Sequence, residues 1–267
     1  VAGDYASTEQ TMKTSLTINN GITISYENPD IPVHEVEVVV PSLSSELLNI
    51  IGGLSEPTKM PGFSYSLSAF RCNVGGAMRK VKASTCANCY ACKGNYIRFP
   101  RVQKALERRY RSLFDPRWTA AFIAVLQRIH KRNKTSAASF FRWHDSGDLQ
   151  SMSHLMNIVN IAKNVPGMRF WLPTREYQIV DRYLDSYGDF PDNLVVRVSA
   201  HMKDRYAPHR FSNSSMVISR DECFDDVLTE WNEAGVKICP APEQGGVCGS
   251  CRNCWYKSVS VVAYKEH

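Results

Sequence analysis

Residues 139–148 read Ser139-Phe-Phe-Arg-Trp-His-Asp-Ser-Gly-Asp148, an aromatic run that stops abruptly in polar groups and a glycine. Such a run reads as a strand, and the residues after it carry a helical pattern, with Leu155, Ile158, Val159 and Ala162 on one face and Pro166-Gly167 at its end. The unit then recurs. Arg169-Phe-Trp-Leu172 runs into Pro173-Thr-Arg-Glu176 and a helix over 177–186, and Leu194-Val-Val-Arg-Val198 runs into Ser199-Ala-His201. Downstream, Ser215–Ile218 predicts a strand, 225–233 a helix, and Gly235–Ile238 a last strand that delivers Cys239. Alternation of strand, polar loop and helix predicts an α/β fold with a parallel sheet, either open or a partial or complete (β/α) barrel. In both, the site forms at the carboxyl ends of the strands. The groups found there are His144, Asp145 and Asp148 after one strand, Arg175 and Glu176 after the next, and Ser199 and His201 after a third. His144 has the pKa range of a group that changes charge near neutrality. The bland alternatives are a helix cap for Asp148 and a structural ion pair for Arg175 with Glu176.

Working outward, residues 1–56 predict an N-terminal β extension, with β-rich runs at Leu16–Ile18, Ile22–Tyr26 and Val36–Val40 and a short helix near 45–51. Residues 57–267 form the α/β domain. In it, 57–70 reads as a loop before a strand leading into the first cysteines, and a helix covers 101–114. A second helix follows Pro116, with Trp118, Phe122, Val125, Leu126 and Ile129 as its apolar face.

Eight of the nine cysteines fall into two groups. Cys239, Cys248, Cys251 and Cys254 share one irregular segment, with Gly245, Gly246 and Gly249 giving the backbone freedom to wrap a small inorganic core. Upstream, Cys86, Cys89 and Cys92 repeat the Cys-x-x-Cys-x-x-Cys rhythm and Cys72 precedes them; Cys223 stands apart. Disulfides belong mostly to shorter secreted chains, and core thiols scatter over apolar positions, so metal ligation is the reading that fits. Overlapping thiol pairs suit the corners of a [4Fe-4S] cubane, one cluster or two. Zinc is the alternative, including a single site built from Cys86, Cys89, Cys251 and Cys254.

The 267-residue chain is 43% hydrophobic with a net charge of +6, and no apolar run is long enough to cross a membrane. That predicts a cytoplasmic protein. Between Arg98 and Lys134 there are eleven Lys or Arg against Glu107 and Asp115, a surface suited to phosphate backbones or simply a solvated helix face.

Thr58-Lys-Met-Pro-Gly62, Cys86-x-x-Cys-Tyr-Ala91, Lys93–Tyr96, Phe141–Gln150, Trp171–Glu176, Asn193–Ala200 and the segment closing at Trp255 together resemble a family of tailed-bacteriophage proteins, the gene product 88-like proteins. The resemblance spans roughly 57–267 and implies a phage origin, hence the cytoplasm of an infected host. A weaker, fold-level likeness is to radical S-adenosylmethionine enzymes. It implies a cluster held by Cys86, Cys89 and Cys92 with Tyr90 beside the cofactor, although here the first spacing is one residue short, which counts against S-adenosylmethionine and leaves Cys72, Cys86 and Cys89 as another trio. Three functions follow: an iron-sulfur redox enzyme acting on a nucleic acid or a small anion, a non-catalytic iron-sulfur protein with a redox partner, or a zinc-stabilised nucleic-acid-binding protein.

Overall fold

A computed structural model describes residues 13–18, 22–27, 29–132, 136–219 and 235–266. In chain order the elements are β1 (Lys13–Ile18), β2 (Ile22–Glu27), α1 (Ser44–Ile50), β3 (Phe63–Tyr65), α2 (Val74–Met78), α3 (Asn95–Arg98), α4 (Pro100–Ser112) and α5 (Trp118–Arg132). They continue with β4 (Phe140–Trp143), α6 (Met152–Asn164), β5 (Arg169–Thr174), α7 (Tyr177–Tyr187), β6 (Leu194–Ser199), β7 (Ser214–Ile218), β8 (Lys237–Ile238) and β9 (Val261–Lys265). Cys223 and the helix expected at 225–233 lie outside the described residues.

Among the described residues, seven strands form one sheet in the order β3-β4-β5-β6-β7-β9-β8, every pair parallel. The sheet is open, with β3 and β8 at its edges, so it is not a complete barrel. Strands β3 to β7 are neighbours in chain order, and α5, α6 and α7 pack on one another in turn, with α1 against α5. Crossovers of one hand between successive neighbours put such helices on a single face. That face is apolar: Phe141 and Trp143 of β4 meet Phe122 of α5 at 5.7 and 5.0 Å between ring centroids, and Trp118 and Tyr65 close the cluster. Burial of aromatic area of this kind stabilises the face strongly.

Three expectations change. Val36–Val40 is irregular rather than a strand. The edge strand β3 lies inside the stretch read as a loop, since three residues are too few to show a period, and the strand expected after that loop is instead a tight turn at Ala69–Arg71 followed by α2. Most consequentially, Gly235–Ile238 is not the last strand: β9 follows it and inserts between β7 and β8, in the interior of the sheet. The hairpin of β1 and β2 forms its own two-stranded sheet, whereas Ile31, Leu47, Ile50 and Ile51 of the expected extension are buried in the main core.

Candidate functional site

The pleat of β4 sends Phe141 and Trp143 into the helix-side core, so Phe140 and Arg142 face the other way. In register with Arg142 stand Ser64 on β3 and Trp171 on β5. The Arg142 guanidinium lies 4.3 Å over the Trp171 ring, its Nη1 is 3.7 Å from Met60 Sδ, and its Nε is buried without a hydrogen-bond partner. On β6, Arg197 is fully buried and donates to the backbone carbonyls of Ser214 at 2.9 Å and Val259 at 3.0 Å. Among the described residues, neither arginine makes an ion pair with a carboxylate.

The segment carrying the four C-terminal thiols covers this polar face. Cys239 follows β8 and its N–H donates to Ala263 O at 2.8 Å; the Cys248 N–H donates to Lys59 O at 2.8 Å. Cys254 Sγ stands 3.2 Å from the Tyr264 hydroxyl of β9. Trp255 fastens the segment, its Nε1 donating to Phe141 O at 2.9 Å while its ring meets Trp171 and Phe140 at 5.1 and 5.5 Å. Burial pushes the thiols of Cys239, Cys248 and Cys254 up, Cys254 to about 11, and at all three Arg142 pulls the other way. Cys239 also acts electrostatically on Cys248 and Cys254, and Cys251 on Cys239 and Cys248, so the four are neighbours. Among the described residues, no three His, Cys, Asp or Glu side chains are drawn together closely enough to hold an ion as they stand.

The upstream thiols lie across the carboxyl ends of the strands. The Thr85 hydroxyl donates to Ala200 O at 3.1 Å, the Thr85 N–H to His201 O at 2.9 Å, and Val74 N–H to Glu176 Oε1 at 3.0 Å, tying the Cys-bearing loops to the ends of β5 and β6. Gly75 lets Cys72 and Cys86 approach: a Cβ there would meet Cys72 Cβ at 3.3 Å and Cys86 Sγ at 3.5 Å. Burial, followed by the charges of Asp148, Cys86 and Cys89, raises the Cys72 thiol well above its ordinary value. Cys86 is raised by burial and lowered in part by Arg175, and Cys89 is raised by burial and by Cys92. Cys92 Sγ accepts from Arg79 Nη1 at 3.1 Å.

Asp148 organises the rim. Its carboxylate accepts from Thr174 Oγ1 at 2.6 Å, the Arg175 N–H at 2.9 Å and the Leu149 N–H at 2.8 Å, and Arg175 Nε reaches Thr85 Oγ1 at 2.9 Å. His201 stacks on Tyr177 at 3.8 Å and its Nε2 donates to Arg175 O at 2.9 Å; burial lowers its pKa to about 4, so it is neutral. Tyr90 and Tyr96 hydroxyls both donate to Asp145, to its backbone carbonyl and to Oδ2 respectively.

Of the residues singled out from sequence, the fold brings Asp148, Arg175, Glu176 and His201 to the upstream thiols, with Asp145 and Tyr90 alongside. His144 is elsewhere: its φ of 53° turns the ring toward His154, 5.4 Å away on the helix side. Ser199 Oγ is engaged with Ser215 Oγ at 2.9 Å between strands. Arg142, Arg197, Thr85 and Tyr264 were not legible as site residues, although an arginine inside an aromatic or aliphatic strand, as in Phe141-Arg-Trp143 and Val196-Arg-Val198, is itself a signal.

Part of the basic run from Arg98 to Lys134 is engaged within the protein. Arg109 is buried and donates to Gly53 O and Ser55 Oγ, Arg111 and Arg117 pair with Glu107 and Asp115, and Lys134 lies outside the described residues. No helix among the described residues is long and apolar enough to cross a membrane.

No curated protein and no solved structure matches the chain. A family model described as Gene product 88 matches residues 46–257, most of the chain and both cysteine groups, and on that ground the chain belongs to the gene product 88 family of phage proteins.

Proposed function

We propose that this chain is an iron-sulfur redox protein in which Cys239, Cys248, Cys251 and Cys254 hold one [4Fe-4S] cluster against the polar face of the sheet. The observation that carries the reading is charge. Two guanidiniums, Arg142 and Arg197, are buried on the side of the sheet that the thiol segment covers, and among the described residues neither has a carboxylate within salt-bridge distance; Asp145 acts on Arg142 only from farther off, and Arg197 donates to backbone carbonyls. A buried cation without a contacting counter-charge is costly, and a closed four-thiolate centre with its net double negative charge would offset the two here. The donor set also fits: burial holds the free thiols protonated, and metal binding would displace those protons. The loop has the freedom to close, with positive φ at Gly245, Gly246 and Gly249. When bound, such a cluster supplies single electrons.

The upstream rim is the reacting end of this proposal. Cys72, Cys86 and Cys89 gather beside Arg175, whose backbone is fixed by Asp148 and whose guanidinium would orient an anionic substrate. Cys92, held by Arg79, is the fourth thiol of this group. S-adenosylmethionine is not needed for any of these roles. Zinc carries the same charge in a four-thiolate site and is the second reading; the overlapping Cys-x-x-Cys spacing favours iron.

Anaerobic purification tests it. Brown protein with a dithionite-bleached absorbance shoulder and about four irons and four sulfides per cluster is expected, and Cys254→Ala should lose that iron. Colourless protein carrying stoichiometric zinc would sink the iron reading, and protein with neither metal would sink both.

A further inference from the structure

Residues 57–106 contain nine Lys or Arg and not one Asp or Glu. Folded, the part of this stretch from Ala69 onward supplies the outer rim around the upstream thiols, while Lys59 lies by the downstream cysteines: the turns at 69–71 and 90–92 pack on each other, and the second packs on α3, which leads into α4. Three aromatics on this rim face solvent, Phe70 with 63% of its surface exposed, Tyr90 with 49% and Phe99 with 37%. Two of them carry arginines on their rings. The Arg79 guanidinium is 5.4 Å from the Phe70 centroid, and those of Arg98 and Arg101 are 5.9 and 5.7 Å from that of Phe99. Neither Phe70 nor Phe99 belongs to the hydrophobic core, so their exposure is not a by-product of packing.

We propose that this rim is a docking surface for single-stranded nucleic acid, its exposed rings stacking on bases and its cations following the phosphates. Charge decides the occupant: a stretch of fifty residues without a carboxylate repels basic partners and attracts a polyanion. The rings decide the strandedness, since a stacking platform needs bases that are free of a duplex. Two acids from outside the stretch reach it in the fold: Glu107 pairs with Arg71 and Arg111, and Asp145 accepts from the Tyr90 and Tyr96 hydroxyls. The surface shares Arg98, Phe99 and Arg101 with the 98–134 run that the charge count suggested and leaves out the later part, where Arg109 is buried on Gly53 O and Ser55 Oγ and Arg117 pairs with Asp115. It rests on none of the metal assignments.

The test is fluorescence anisotropy of the full chain, as purified, with labelled fifteen-residue DNA and RNA strands and the matching duplex, over a salt series. A single strand should bind with log K falling linearly in log salt and should bind more tightly than the duplex; whichever strand is preferred identifies the sugar chemistry. Phe70→Ala with Phe99→Ala should weaken binding roughly ten-fold or more. Arg98→Gln with Arg101→Gln should flatten the salt slope by about 0.7 for each phosphate that is no longer neutralised. Metal content and urea midpoint, measured on the same samples, should stay at wild-type values, which keeps the result separate from the iron reading. Absence of binding at low salt, equal affinity for the duplex, or full affinity in the Phe70→Ala, Phe99→Ala variant overturns the proposal.

Discussion

Gly147 shows how one backbone position ties the site to the scaffold. Its φ is +80°, and a Cβ there would lie 2.7 Å from Leu67 Cβ and 2.8 Å from Leu67 O. Next to it, Ser146 Oγ donates to Leu67 O at 2.6 Å and Ser146 O accepts from the Leu67 N–H at 3.0 Å, so β3 and the loop after β4 are fastened at this point. Gly147→Ala should therefore cost about 2 kcal/mol or more, combining left-handed strain with a backbone clash. Chemical denaturation would show it as a lower midpoint; a stability within about 0.5 kcal/mol of wild type contradicts the account. Arg142 matters for a different reason. If it offsets the charge of a thiolate centre, Arg142→Gln should lower metal affinity roughly ten-fold or more while Cys254 and its neighbours remain in place. Competition with a chromogenic chelator measures this directly, and unchanged affinity would remove Arg142 from the metal reading.

Among the elements, β9 carries more than its five residues suggest. It pairs with β7 over Ser214–Ile218 and with β8 over Lys237–Ile238, and it presents Tyr264 to Cys254. Without β9 the edge of β7 is unpaired and the Cys segment loses one of its anchors. Ending the chain after residue 258 is expected to abolish cooperative unfolding, seen as a featureless urea curve or as insoluble protein. A cooperative transition in that truncated chain would mean that β9 is only an accessory. The β-branched run Ser258-Val-Ser-Val-Val-Ala-Tyr264 is a local signal for this strand that the reading of Gly235–Ile238 as the last one passed over. Its position between β7 and β8 had no local signal, because pairing partners far along the chain are chosen by the fit of whole faces.

For the molecule as a whole, the helix-side core holds neutral histidines. Burial lowers His154 to about 3 and His144 well below its ordinary value, and His154 Nδ1 accepts from the Gln150 N–H at 3.3 Å. In the unfolded chain both titrate near 6.5. Between the folded and unfolded values the unfolded state binds more protons, so stability is fully present above about pH 6.5 and is lost as pH falls toward 3. From pH 7 to pH 5 each buried histidine should cost about 1–2 kcal/mol. His154→Gln keeps an acceptor for Gln150 and should flatten that pH slope by one histidine's share. Denaturation curves across pH 5–7 check it, and an unchanged slope would place the acid sensitivity elsewhere.

The repeat of strand, polar end and helix over residues 139–201 dictated the fold class by itself, since periods of two and 3.6 residues are local properties of the chain. Thiol spacing likewise defined two groups before any tertiary neighbour was known. What local pattern did not contain was which face each group would occupy. His144 stands in the same polar run as Asp148, yet a positive φ turns it into the aromatic core while Asp148 anchors Arg175 at the rim. Arg142 and Arg197 read as strand residues, and only the pleat, the register across β3 to β6 and the segment folded over them by Trp255 make them the charged floor beneath four thiols. Sidedness and burial depend on what packs from a distance, and that is decided when the sheet, its helices and its last strand assemble together.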